Sequence, residues 1–316
     1  MSLHVVLGKG PVGSTLTNRL VASGHEVRVL SRSGGTDPRP AVEHRALDAG
    51  DAAAVTAATT GAVALYNCAN PAYHRWPTDW PPVAAALLAA AEGTGAVLVV
   101  LSNLYGYGEV DRPMTEDLPL ASTGIKGRVR TQMHEQALAR HRAGVLRTVE
   151  LRASDFVGPR VTDGGMLGSR AVPRLLTGRS VAFLGDPDVP HSWTAVPDVA
   201  AALELAAVEQ RAWGRAWHVP TAPPVTFREA VRGLCAAAGV HPVPVRRLPH
   251  LALRAAGLLS PLVRELEETR HQYVRPFVLD SSAFTTAFGL PATPLETTWA
   301  DTVAWWRDRV TAQADR

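Results

Sequence analysis

Three glycines spaced Gly8-x-Gly10-x-x-Gly13 follow directly on a short apolar run, Leu3, Val5, Val6 and Leu7, and lead into residues of helical character. A near-continuous apolar run with β-branching is the pattern of a parallel strand buried on both faces. Gly8 then permits a tight turn, Gly10 lets a pyrophosphate approach the backbone, and Gly13 lets the helix lie close on the strand. Pro11 suits a first helical turn, where its missing N–H costs nothing. Gly8, Gly10, Pro11, Val12 and Gly13 together form a turn whose helix N-terminus can hold phosphates. Such a spacing is weak by itself and also occurs in unrelated turns. Here a second strand, Glu26 to Leu30, follows at the interval of a βαβ unit, and the context points to a dinucleotide site.

The chain of 316 residues can bury a large core. Its formal charge of +3 comes without a basic run, which speaks against a nucleic-acid partner. Cys68 and Cys235 cannot build a zinc or disulfide framework, so no metal is expected. Residue 3 already begins a strand, leaving no room for a signal peptide, and the apolar stretches break before membrane-spanning length. A cytoplasmic protein without a membrane partner is the expectation. Of the 32 basic residues only Lys9 and Lys126 are lysine, so a lysine here is a selective choice.

Further strands are predicted over 41–48, 62–69 and 96–102, with alanine-rich helices over Asp51 to Thr59 and Val83 to Glu92 between them. This β-α-β alternation predicts an α/β fold built on a Rossmann-type doubly wound parallel sheet. The second strand ends in Ser31 and Arg32, where an acidic residue commonly meets the ribose hydroxyls of NAD. A guanidinium pairs with a 2′-phosphate that a carboxylate would repel, so NADP(H) is favoured. The competing reading is a solvated loop arginine in an arginine-rich chain. Asp48, ending the third strand, can reach the adenine.

The turn Gly8 to Gly13, Asn67-Cys68-Ala69, Ser102-Asn103-Leu104-Tyr105-Gly106 and Leu151 to Pro159 occur in the order of a known family, as does the later segment His191 to Ala202. The chain resembles the extended short-chain dehydrogenase/reductases, the group labelled NAD-dependent epimerase/dehydratase. The resemblance implies a dinucleotide-binding Rossmann domain over 1–157, which Arg32 makes the NADP-binding domain. It also implies a smaller, mainly substrate-binding lobe over 158–316, interleaved with the last elements of the first. Cys68 and Ala69 would then line the cofactor, and Asn103 and His191 the substrate; a homodimer is permitted.

At the catalytic position the chain departs from that family, whose members carry a serine after the fifth strand and a Tyr-x-x-x-Lys pair on the next helix. There the tyrosine exchanges a proton with the substrate oxygen, and the lysine holds the nicotinamide ribose and lowers the phenol pKa from about 10. No tyrosine follows the lead-in Met114 to Leu120. Lys126 stands at the tyrosine position and Arg130 at the lysine position, one turn apart on one helix face. Arg130 can bond ribose hydroxyls but cannot relay a proton. Lys126 can donate to a carbonyl oxygen, or act as a base where Arg130 and burial disfavour its ammonium. The alternative is a solvated helix start. Ser102 can orient a carbonyl, and Tyr105 and Tyr107 are nearby phenols, Tyr105 matching a position more often structural.

The sequence therefore favours an NADP(H)-dependent oxidoreductase, a ketone or enone reductase on an apolar or aromatic small molecule, with catalytic Lys126, Ser102 and Tyr105. Two other readings stay open: a redox-neutral isomerase, dehydratase or cyclase with recycled or structural NADP(H), and a non-catalytic nucleotide-sensing protein. A sugar-nucleotide substrate is less favoured, because the usual tyrosine is missing and no separate diphosphate motif stands out.

Overall fold

The computed structural model describes residues 1–249, 265 and 267–314, with side chains to Thr311. The chain divides into two compact units, one formed by residues 1–108, 116–152 and 199–219, the other by 109–115, 153–198 and 220–316.

The first unit is a seven-stranded parallel sheet flanked by helices. Its strands are β1 (Leu3–Leu7), β2 (Glu26–Ser31), β3 (Val42–Ala46), β4 (Ala62–Asn67), β5 (Val97–Asn103), β6 (Thr148–Ala153) and β7 (Ala216–His218). In space they run β7-β6-β5-β4-β1-β2-β3. The chain thus builds outward from β1 to one side and, after β4, to the other. Helix α1 (Pro11–Ala22) joins β1 to β2, and α2 (Ala52–Thr59) precedes β4, its first turn capped by the Asp51 side chain on Ala54 N. Sheets of this order bind ligands at the carboxyl ends of the strands, beside the point where strand order reverses. Here that point lies between β1 and β4.

Helix α3 covers Trp76–Thr94, so it starts well before the Val83 expected from the sequence and contains Pro81 and Pro82. Proline removes helical hydrogen bonds, which is why the pattern suggested a later start. Trp76 and Trp80, four residues apart and both fully buried, lie on the same face as Ala84, Leu87 and Leu88. Burial of two indoles against the sheet offsets the missing bonds. Helix α4 (Ile125–Arg142) carries Lys126 and Arg130, both buried.

A polar group sits inside β1 itself. His4 is buried, with Nδ1 2.9 Å from the Tyr66 hydroxyl and Nε2 3.2 Å from Ser2 Oγ. Burial lowers its pKa to about 4, and the nearby His25 acts in the same direction.

In the second unit, short strand pairs join 155–157 to 193–195, 190–191 to 225–226 and 181–183 to 245–247. Helix Phe227–Ala237 starts with a capping box, Thr226 and Glu229 each bonding the other's backbone. Its apolar face packs with Trp193, Phe183, Trp299 and Trp306 in this unit's own core. The closing helix spans Leu295–Ala314, and Trp299 and Trp306 are buried packing residues within it.

Because His4 is held neutral with a folded-state value below its ordinary 6.5, folding there opposes proton uptake. Its contribution to stability is complete above pH 6.5 and is lost as pH falls toward about 4. Thermal midpoints measured across this window should fall with pH, and a His4→Phe variant should show a shallower fall.

Candidate active site

The glycine-rich turn is held where β1, β2 and β4 end. Gly8 has φ +104°, a left-handed conformation that favours glycine, and its N–H bonds Leu30 O at 2.9 Å. A Cβ on Gly8 would stand 2.8 Å from Cys68 O and 2.9 Å from Ala69 N, and one on Gly13 would stand 2.0 Å from Gly8 O. Strand β4 is drawn to the same place, with Cys68 N bonding Leu7 O at 2.9 Å. Over Gly10 there is open space, with no atom within 4 Å of a built Cβ. Helix α1 begins at Pro11 with no side-chain cap. An unobstructed helix N-terminus beside an open glycine fits a phosphate-bearing ligand. Burial pushes the Cys68 thiol up to about 12, so Cys68 is a neutral wall here.

Lys9 reaches across this turn and donates from Nζ to Gly34 O at 2.7 Å, an oxygen that Ser31 Oγ also bonds at 3.2 Å. One of the two lysines thus ties the glycine turn to the loop after β2. Arg32 stands exposed next to Ser31. Asp48 accepts the Gly50 N–H at 2.9 Å, a local turn bond.

At the end of β5, Ser102 is buried and Asn103 Oδ1 accepts the Tyr105 N–H at 3.1 Å. Asn103 therefore shapes the turn that carries Tyr105. The start of α4 lies hard against that turn, since a Cβ on Gly127 would come within 2.5 Å of Tyr105 O. Glycine next to Lys126 permits this approach, and Lys126 is 1% exposed. Its Nζ lies 5.7 Å from the ring centroid of Tyr73, whose hydroxyl is 2.8 Å from that of Tyr105. Trp76 stacks on Tyr105 with centroids 5.9 Å apart.

One turn along, the Arg130 guanidinium lies 4.7 Å from the Trp76 ring and 4.3 Å from the Trp80 ring. Its Nε and Nη1 have no hydrogen-bond partner. Burial lowers its pKa to about 10 against the opposing field of Glu150. The indole faces replace part of the lost hydration.

Tyr107 is committed to a separate network. It receives Arg152 Nη1 at 2.8 Å and lies 2.7 Å from His218 Nε2. The Tyr107 hydroxyl is thus paired with both Arg152 and His218. Arg152 Nε also donates to Glu150 Oε1 at 2.6 Å, and His134 Nδ1 lies 3.3 Å from Glu150 Oε2. Burial alone would raise the Glu150 pKa, but Arg152 and His134 hold it down to about 2.

All the expected cofactor and catalytic residues fall in the first unit, whereas His191 lies in the second. His191 is buried, with Nδ1 3.1 Å from Gln272 O and Nε2 3.1 Å from Asp155 Oδ2. Tyr73, Trp76 and Trp80 are the site neighbours that the sequence reading missed. Their one signal was an aromatic-rich segment directly after β4. Among the described residues there is no cluster of His, Cys, Asp and Glu able to hold a metal ion, and no helix long and apolar enough to cross a membrane.

Residues 5–219 match the family described as NAD dependent epimerase/dehydratase family. No curated protein sequence matches the chain. Solved structures share the fold at low identity. The chain is similar to UDP-glucose 4-epimerase from Thermotoga maritima at 18% identity and TM-score 0.81, with 98% of this chain and 99% of that chain covered. It is similar to the dTDP-glucose 4,6-dehydratase DesIV from Streptomyces venezuelae, solved with NAD, at 21% identity and TM-score 0.79, with 98% of each chain covered. A third is UDP-glucose 4-epimerase from Thermus thermophilus in complex with NAD, at 22% identity and TM-score 0.77, with 96% and 99% covered.

A Gly13→Val variant puts side-chain atoms where Gly8 O already lies. It should lose about 1–3 kcal/mol of stability in urea unfolding, the usual cost of overpacking. It should also lose dinucleotide binding measured by calorimetry.

Proposed function

The chain belongs to the NAD dependent epimerase/dehydratase family, and from that premise we propose that it is a nicotinamide-dinucleotide-dependent oxidoreductase acting on a small molecule. The observation that carries this reading is the glycine junction of β1, β4 and α1, tight at Gly8 and Gly13 and open over Gly10. Gly8, Gly10 and the N–H groups at the start of α1 hold the pyrophosphate, with Val12 and Gly13 in that turn and Cys68 and Ala69 as a wall. When bound, the dinucleotide supplies or accepts a hydride.

The residues of this chain do the remaining work. Ser102 and Lys126 bond the substrate oxygen. The buried positive charge of Lys126 stabilises the negative charge that develops there during reduction of a carbonyl. Arg130 gives a fixed positive charge one turn along, and its unpartnered nitrogens suit ribose hydroxyls. The aromatic surroundings of Lys126 and Arg130 favour an apolar or aromatic ketone or enone.

A redox-neutral epimerase or dehydratase is the second reading, favoured by the described activities of the similar structures. The two separate in one assay. Reductase action consumes NADPH in step with product, and redox-neutral conversion leaves it unchanged.

Cofactor choice rests on Arg32, exposed at the end of β2 where no carboxylate stands. NADP(H) should bind more tightly than NAD(H). Calorimetry on an Arg32→Ala variant should show NADPH weakened by about tenfold, some 1.4 kcal/mol, with NADH unaffected. Equal affinities in the unmodified protein would overturn the NADP assignment.

A further inference from the structure

We propose that Tyr73 supplies the proton-transfer hydroxyl that helix α4 lacks, with Tyr105 as its hydrogen-bonded relay and Lys126 as the cation facing its ring. This deepens the dinucleotide-dependent reading above and rests on it.

Three observations converge. Tyr73 opens a short 3-10 turn soon after Cys68 and Ala69, whose backbone meets Gly8, so it emerges beyond the strand end where the glycine turn lies. Its hydroxyl is 2.8 Å from that of Tyr105. Lys126 Nζ, at the position where the family's tyrosine is expected, lies 5.7 Å from the Tyr73 centroid. Phenol and cation have thus changed elements: the cation comes from α4, and the phenol from the segment leading into α3.

The chemistry follows from this exchange. An ammonium beside a phenol ring stabilises negative charge that develops on the phenol oxygen as its proton leaves. A hydroxyl pair passes protons along, since Tyr105 can return a proton to the Tyr73 oxygen once that oxygen has given one up. In the reducing direction the Tyr73 O–H bond breaks and a new O–H bond forms at the substrate carbonyl oxygen. The carbonyl carbon takes its hydrogen and electron pair from the reduced dinucleotide. Tyr105 reprotonates the Tyr73 phenolate, and Tyr105 is refilled from solvent. Oxidation of the alcohol runs these steps in reverse.

Tyr107 is committed elsewhere, its hydroxyl paired with both Arg152 and His218. The ring of Tyr73 also packs edge-on to Trp76, with centroids 5.2 Å apart, so Tyr73→Phe keeps the packing and removes only the hydroxyl.

The test uses the full chain and two readouts. The first needs neither cofactor nor substrate: ultraviolet titration of tyrosinate, with Tyr73 assigned as the difference between the protein and Tyr73→Phe. Replacing the cation with Lys126→Met should move that titration upward by about one pH unit or more. An unmoved titration overturns the proposal. The second follows reduction of an aromatic 1,2-diketone by NADPH. Tyr73→Phe should lower kcat on the order of 100-fold and Tyr105→Phe about 10-fold, with the dinucleotide Kd within about twofold of the unmodified protein. Turnover of Tyr73→Phe within about threefold of the unmodified protein, at intact dinucleotide affinity, overturns it as well. Failure of the unmodified protein to bind either dinucleotide overturns the functional reading instead. If the unmodified protein binds but does not reduce the diketone, the titration alone decides the role of Tyr73.

Discussion

The contact between Gly13 and the carbonyl of Gly8 is the constraint on which the first unit depends. Any side chain at residue 13 would occupy the space of a backbone oxygen, so helix α1 can lie this close to β1 only through glycine. The same turn brings Gly8 within reach of Cys68 and Ala69 at the end of β4. Three elements therefore meet at one point, which is also where the strand order reverses. Gly8 and Gly13 are closed in by backbone, and the start of helix α1 is left open over Gly10.

A second constraint is the burial of cations. The first unit buries Lys126, Arg130 and Arg152, with Glu150 as the buried carboxylate among its described residues. Arginine stays protonated, so the cost of burying it must be offset by its surroundings. Arg152 has Glu150 and the Tyr107 oxygen. Arg130 has two indole faces and the more distant field of Glu150. This explains why α3 keeps its tryptophans despite two prolines in its interior: the same side chains fill the core and face the guanidinium.

Much of the fold was legible in the residues themselves. Apolar runs separated by alanine-rich stretches marked the strands of the parallel sheet, and the glycine spacing marked the tight turn between β1 and α1. The start of α3 was not legible, because proline weakens a helical pattern whereas the burial of Trp76 and Trp80 depends on a sheet far away in sequence. The site was partly legible. Lys126 stood out because lysine is rare in this chain, and Arg130 followed from its spacing. Tyr73 did not, since nothing in a loop after β4 announces that its hydroxyl meets one from the turn after β5.

The sequence by itself determined the alternation of strands and helices, the glycine junction and the absence of a tyrosine from the stretch that leads into α4, because each depends on residue type at short spacing, whereas the order of the strands in the sheet came from the structure. Only the tertiary structure decided which phenol stands beside Lys126, which tyrosine is committed elsewhere, and what surrounds Arg130. Those outcomes depend on side chains from the ends of β4 and β5 and from α3 and α4 converging in space, and separation along the chain carries no record of such a meeting.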